Sequence, residues 1–183
     1  MSIALSTAIL VLIILLLIMI SAFFSSAETA LTAASEARIR QLAKTEANRQ
    51  AIRVEKLRKN KEELISTILV GNNLVNILAS ALATSAAITL AGDAGVALAT
   101  LVLTVVIVLF AEVLPKSYAF NNADRFSLKI ALIVQIIVWV LKPVTWSLRV
   151  VVVRILGKKS KEDASREDEL RGLIDLHSED TDE

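Results

Sequence analysis

The sequence has 183 residues, of which 55% are hydrophobic and only 4% aromatic, and its long uncharged runs predict an integral membrane protein. The net charge of only +1 gives no indication that nucleic acid or another polyanion is a partner, and we expect none. There is no cysteine, and the single histidine, His177, lies in an acidic tail. Thiolate sites, His-cluster metal sites and Ser-His-Asp catalysis are therefore excluded within this chain, and we expect no enzyme.

Three uncharged stretches predict three transmembrane helices, near 2–27, 64–91 and 94–115. At about 1.5 Å per residue, each can span the roughly 30 Å hydrocarbon core. Two glycines and an aspartate in the short segment 92–95 predict a tight turn between the second and third helices. The fold class predicted from these runs is all-α.

The charged segment 36–63 predicts a helical hairpin outside the bilayer. It carries nine Lys and Arg, whereas the turn at 92–95 carries none. The positive-inside rule therefore predicts that 36–63 is cytoplasmic and that the N-terminus is outside. Three crossings then place the chain from Lys116 onward, including the C-terminus, in the cytoplasm.

Segment 128–156 predicts an interfacial helix. Its longest uncharged run, 130–141, is too short to span a bilayer. Polar and aromatic side chains at helical spacing form one stripe: Gln135, Trp139, Lys142, Trp146 and Arg149. Such a stripe on an apolar helix is typical of one lying in the membrane interface. A re-entrant segment or fourth crossing is the alternative. The remaining residues, 158–183, predict a charged linker tail.

Polar residues that are unusual in membrane helices occur in three groups. The groups are Ser21 with Ser25, Gly71 with Asn72 and Asn73, and Glu112. With the topology above, helix rise places all three in the same inner half of the bilayer. Hydroxyl, amide and carboxylate oxygens suit a hard cation such as Mg²⁺, Ca²⁺ or Na⁺.

Each group also has a purely structural interpretation. A serine in a membrane helix commonly bonds a carbonyl of its own helix, and asparagines can join helices by hydrogen bonds. Glu112 could pair with Lys116. Intramembrane ionisable residues are nonetheless candidates for function.

Three motifs resemble those of a known family: SAFFSSAETAL at 21–31, LISTILVGNNLVNILAS at 64–80 and AEVLPKSYA at 111–119. In this order and spacing they resemble the transmembrane domain of the CNNM/CorC magnesium transporters, over residues 1–157. The resemblance implies a homodimer in the plasma membrane, which is the inner membrane of a bacterium. It also implies transport of Mg²⁺ out of the cell. Exchange of the exported Mg²⁺ for Na⁺ is a further expectation from the resemblance.

Carried over to this sequence, the resemblance implies a metal site drawing on Ser21, Ser25, Gly71, Asn72, Asn73 and Glu112. Which of the two asparagines contacts the ion stays open. The family continues into CBS domains that bind ATP, and EDELRGLIDL near the end of this chain resembles the approach to them. We therefore expect ATP to act only through domains outside this sequence. A non-transporting magnesium sensor or regulator of another transporter is the alternative function.

Overall fold

The structure, a computed structural model, describes residues 3–156, and the predicted tail 158–183 lies outside them. These residues form six α-helices and one π-helical segment. The elements are α1 Ile3–Ala33, α2 Glu36–Lys44, α3 Arg49–Lys59, α4 Lys61–Val106, the π-helical segment Ile107–Val113, α5 Leu114–Asn121 and α6 Ala123–Leu156. The all-α fold class is confirmed. The described residues divide into two units, with the boundary in the chain between Lys142 and Pro143.

The membrane character of the long helices shows in their surfaces. Leu12 and Met19 on α1, and Ile77 and Leu98 on α4, are each about two-thirds exposed. Exposing apolar side chains of this kind to water is unfavourable, so a helix that presents many of them needs lipid or other apolar surface around it.

α1 runs antiparallel to the first part of α4. Arg58, three residues before α4 begins, donates from Nη1 to the Ala34 carbonyl at 2.8 Å. Further along, the Ser21 hydroxyl donates to Oδ1 of Asn72, also at 2.8 Å. Because residue numbers fall on α1 as they rise on α4, the two helices point in opposite directions.

α4 is interrupted at Gly92, where φ is 62° and ψ is −157°. This left-handed conformation suits glycine, which has no Cβ to clash. The break falls within the predicted turn at 92–95. Beyond it the chain runs parallel to α1, since Glu28 pairs with Lys116 and the Ser35 backbone N–H donates to the Asp124 carboxylate at 2.8 Å.

The hairpin predicted over 36–63 is present as α2 and α3. Ser35 caps α2 by accepting from the Arg38 N–H, and Asn48 caps α3 by accepting from the N–H groups of Gln50 and Ala51. Each helix contributes apolar side chains to the core that includes the end of α1. The buried ones are Ile39, Ala43, Ala51, Val54 and Leu57.

The sequence predicts three spanning helices, whereas four in the described part of the chain are long and apolar enough to cross a membrane. The fourth is Ala123–Ile155. The difference arises because α6 continues through Lys142 and Pro143, where the uncharged run ends. Pro143 removes one backbone donor without ending the helix.

Contacts in the first half of α6 nevertheless favour an orientation across the bundle. Asp124 contacts Ser35 just past the end of α1, and the Lys142 ammonium lies 3.8 Å from the Glu63 carboxylate near the start of α4. From the Ser21–Asn72 contact, Glu63 is level with about residue 30 of α1, roughly 8 Å from Ser35 along the axis. The stretch from Asp124 to Lys142 is about 27 Å long. Both its ends therefore lie near the same end of the α1–α4 pair, as an interfacial segment would.

Candidate ion site between the membrane helices

The two serines predicted as ligands lie on one buried face of α1. Ser21 and Ser25 are four residues apart, which places them one above the other on a helix. Their exposed fractions are 0% and 1%. Both hydroxyls are thus removed from solvent and lipid within a single chain.

The hydrogen bonds of these serines differ from those of their neighbours. Ser26 bonds the carbonyls of Ala22 and Phe23 in its own helix, and the Thr29 hydroxyl bonds the Ser25 carbonyl. Ser21 instead bonds Asn72 across to α4, and the Ser25 hydroxyl is buried with no hydrogen-bond partner. The structural interpretation, in which a serine satisfies itself within its own helix, therefore applies to Ser26 but not to Ser21 or Ser25.

Asn72 and Asn73 have different surroundings. Asn72 is partly buried and accepts the Ser21 hydrogen bond, whereas Asn73 is exposed in the single chain. Consecutive residues on a helix point about 100° apart, so the two amides cannot face α1 together. The structure brings Asn72, and not Asn73, to the serines.

Gly71 is buried where α4 lies against α1. A Cβ atom at this position would come within 2.5 Å of the Phe24 ring, which is itself buried in the core. The absence of a side chain thus permits close packing of the two helices. This gives Gly71 a structural reason in addition to the predicted backbone contact with the ion.

Glu112 lies in the π-helical segment Ile107–Val113, which continues directly from α4 and packs against α1. The last bond of the π pattern runs from the Leu114 N–H to the Leu109 carbonyl. The next donor in that series would be Pro115, which has no N–H, so the pattern ends there. A π turn is wider than an α turn and often occurs at functional sites.

Lys116 pairs with Glu28 and not with Glu112. Its ammonium lies 3.6 Å from the Glu28 carboxylate, which joins α5 to α1. Within residues 3–156, the Glu112 carboxylate takes part in no ion pair or hydrogen bond. The alternative, purely structural interpretation, in which Glu112 only pairs with Lys116, therefore does not hold within the described residues.

Helix register places Glu112 at the level of Ser25. Glu112 precedes Lys116 by four residues, and Ser25 precedes Glu28 by three, on segments that run parallel. The two residues thus differ in height by less than about one turn, or roughly 5 Å. Ser21 and Asn72 lie about one turn further along α1, away from Glu28.

The donor set fits a hard cation. It combines one carboxylate with hydroxyl and amide oxygens, and the buried Ser25 oxygen lacks a partner. The Ser21–Asn72 bond leaves the hydroxyl oxygen both of its lone pairs and the amide oxygen one, so both can still contact a cation. No group of three or more His, Cys, Asp or Glu occurs in the described part of the chain, so this differs from a multi-carboxylate site.

Two features of the site lie beyond the sequence interpretation. The π-helical segment was not predicted, although a proline three residues after a membrane glutamate is the signal that could have indicated a disturbed helix. The Glu28–Lys116 pair was also missed, because the two residues are far apart in sequence and the pair depends on tertiary packing.

Comparison with known proteins supports a family assignment. The model of the family described as "Cyclin M transmembrane N-terminal domain" (CNNM) matches residues 12–183. The chain is 44% identical over 144 residues to the UPF0053 inner membrane protein YfjD of Escherichia coli, covering 77% of this chain and 33% of the relative. It is 37% identical over 178 residues to a UPF0053 protein of Haemophilus influenzae, covering 94% and 42%.

A chloroplastic DUF21 domain-containing protein of Arabidopsis thaliana is 39% identical over 162 residues, covering 85% of this chain and 24% of the relative. The chain thus spans less than half the length of each of these relatives. The family match takes in all the predicted site residues, from Ser21 to Glu112. On this evidence, the chain is a membrane protein that belongs to the CNNM family, by its cyclin M transmembrane N-terminal domain.

Proposed function

We propose that this domain transports Mg²⁺ across the plasma membrane. The observation that carries the proposal is the buried, unpartnered Ser25 hydroxyl at the level of Glu112. An unsatisfied buried hydroxyl costs about 1–3 kcal/mol. A cation bound between α1 and the π-helical segment would satisfy that oxygen and neutralise the carboxylate at once.

In this proposal the ligands have distinct roles. Glu112 supplies the full negative charge, and Ser21, Ser25 and Asn72 supply neutral oxygens. Gly71 contributes by letting α4 approach α1 across the Phe24 ring. Mg²⁺ prefers near-octahedral oxygen geometry at about 2.0–2.1 Å and releases its waters reluctantly. Several converging oxygens are therefore needed to replace part of its hydration shell.

The direction of transport and its coupling belong to the same proposal. We infer export, with Na⁺ entering in exchange, and an orientation with the N-terminus outside and the basic hairpin α2–α3 in the cytoplasm. The nine Lys and Arg of 36–63 support the orientation. The domain acts as a homodimer, because a bundle of so few helices offers little enclosed space for a cation path.

Small residues on α4 suit close contact with a second protomer, and the sequence has four of them at Ala79, Ser80, Ala83 and Ala87. Of those on α4, Ala79 and Ala87 are already buried within the single chain. Ser80 and Ala83 are only partly buried, and they remain available to a second protomer.

Flux into vesicles tests the proposal. The purified chain is reconstituted with a Mg²⁺ indicator inside, and Mg²⁺ entry down its gradient is followed with and without a Na⁺ gradient of opposite direction. We expect flux from the native chain, loss of flux in Glu112→Gln and unchanged flux in Glu28→Gln. Mg²⁺ binding without any flux would instead identify a non-transporting sensor.

A further inference from the structure

A cavity of about 170 Å³ lies between α3, the start of α4 and α6, apart from the candidate ion site. Its lining includes the basic side chains Arg53, Lys56 and Lys142, the carboxylate of Glu63 and the ring of Trp139. The balance of these groups is two positive charges. The cavity has room for several water molecules, which is enough for a phosphodiester group.

The cavity lies where the apolar stretches of two helices end. On α4 the uncharged run begins directly after Glu63, and on α6 it ends directly before Lys142. These two residues face each other at 3.8 Å. The cavity is therefore at the boundary between hydrocarbon and headgroups, the level at which Trp and basic side chains are enriched.

Two of the cations in this cavity lack a protein partner. Within the described residues, Arg53 and Lys56 form no ion pair or hydrogen bond. A second cavity, lined by α2, α3 and Lys61 at the start of α4, also contains lysines without an ion pair within the described residues, but both of its arginines are engaged. Arg40 is paired with Glu36, and Arg58 is bonded to the Ala34 carbonyl. Arg53 is half-buried and Lys56 is exposed, and both line the cavity.

Exposed apolar side chains continue from the cavity toward the hydrocarbon. Ile65 and Leu69, on the first turns of α4, are 42% and 56% exposed, and Ile136 and Val140 on α6 are 53% and 56% exposed. A ligand with an anionic head and two acyl chains matches this order of charge, aromatic ring and apolar surface. A soluble phosphate compound would make no use of the apolar part.

We propose that this cavity binds the headgroup of an anionic phospholipid. The phosphate lies between Arg53, Lys56 and Lys142, with Trp139 at the level of the glycerol. Its acyl chains follow the exposed side chains of α4 and α6. The lipid would join α3 and the start of α4 to the first half of α6.

The two tryptophans of the chain, Trp139 and Trp146, make the proposal measurable. In Trp146→Phe, Trp139 is the only tryptophan and lines the cavity; in Trp139→Phe, Trp146 is the only one, and it does not line the cavity. Each full-length variant is placed in phosphatidylcholine vesicles that contain brominated phosphatidylglycerol or, at equal mole fraction, brominated phosphatidylcholine. Bromine quenches a tryptophan in contact with it, so the ratio of quenching gives the lipid preference.

We expect phosphatidylglycerol to quench Trp139 more strongly than phosphatidylcholine does, and to show a smaller preference at Trp146. Adding Arg53→Gln and Lys56→Gln should lower the preference at Trp139 by about fivefold for each basic residue. Lys44→Gln with Arg49→Gln removes the same charge from the same hairpin outside the cavity, and should leave the preference intact. Arg53→Lys with Lys56→Arg keeps the charge and should restore it.

Three results would overturn the proposal. One is equal quenching of Trp139 by the two lipids. Another is a lipid preference that does not depend on Arg53 and Lys56 in particular. It would then survive Arg53→Gln with Lys56→Gln, or fall equally with Lys44→Gln and Arg49→Gln, and either result would indicate general attraction to the charged surface. The third is relief of quenching by inorganic phosphate at constant ionic strength, which would identify a site for free phosphate instead of a lipid.

Discussion

The Ser21 hydroxyl on α1 donates a hydrogen bond to Oδ1 of Asn72 on α4 at 2.8 Å, between residues 51 positions apart in sequence. This bond fixes which face of each helix meets the other. It places Ser25 one turn along the same face, toward the level of Glu112. The Ser21–Asn72 contact thus joins the two helices that carry the serine and asparagine residues of the candidate ion site.

Replacing Ser25 by alanine should separate stability from ion binding. The native hydroxyl is buried without a partner, so Ser25→Ala should leave the thermal stability of the protein without Mg²⁺ unchanged or raise it by up to about 1 kcal/mol. The stabilisation on adding Mg²⁺ should become smaller, because a ligand is lost. Thermal unfolding in detergent, with and without Mg²⁺, measures both effects.

Ser26→Ala is the matched control for that experiment. Its hydroxyl is bonded within α1, so its removal should not change the response to Mg²⁺. Equal loss of the response in Ser25→Ala and Ser26→Ala would contradict a ligand role for Ser25.

Glu112→Gln should weaken Mg²⁺ binding more than any other single change in the site. A divalent ion and a carboxylate about 4 Å apart attract by roughly 2 kcal/mol even in a water-like dielectric, so affinity should fall by at least about thirtyfold. Calorimetric titration measures it. Glu28→Gln removes an equal charge that is already paired with Lys116, and should change affinity by much less. Native affinity in a folded Glu112→Gln protein would place the ion elsewhere.

Asn72→Ala and Asn73→Ala should differ although the residues are adjacent. Asn72→Ala removes the acceptor of the buried Ser21 hydroxyl, so we expect a loss of about 1–3 kcal/mol in stability and a weaker response to Mg²⁺. Asn73 is exposed in the single chain, so its replacement should change neither by much. The reverse order in thermal-shift titrations would show that Asn73 is the ligand.

Gly71→Ala should destabilise the packing of α1 against α4. The added methyl group would lie 2.5 Å from the Phe24 ring, and overpacking of this kind typically costs about 1–3 kcal/mol. In combination with Phe24→Leu, which makes room, the loss should be smaller than the sum of the two single losses. Additive losses in thermal unfolding would mean that the two positions are not coupled.

Topology can be measured with single cysteines, because the chain contains none. Glu46→Cys in the hairpin and Gly95→Cys in the turn should react with an impermeant reagent from opposite sides of the membrane. Asn121→Cys and Arg154→Cys, near the two ends of α6, should react from the same side if that helix lies in the interface. Reaction from opposite sides would identify α6 as a fourth crossing.

The sequence by itself determined the long membrane helices and the types of residue in the candidate ion site. Local composition decides these features: an uncharged run of sufficient length is stable in lipid as a helix, since its backbone bonds are satisfied internally. The charge difference between 36–63 and 92–95 likewise predicts an orientation without any tertiary information. The motifs that contain Ser21, Asn72 and Glu112 were sufficient to indicate the family.

Tertiary structure alone decided how these residues meet. Asn72 and Asn73 have the same chemistry, and only the packing of α4 on α1 turns one toward Ser21 and leaves the other exposed. Lys116 could have paired with Glu112 in its own segment, but packing brings it to Glu28. The sequence predicted three apolar helices long enough to span a membrane, whereas the described residues contain four, because α6 continues through Lys142 and Pro143. The first half of α6 contacts Ser35 and Glu63, which are far from it in sequence, so its local sequence pattern does not indicate these contacts.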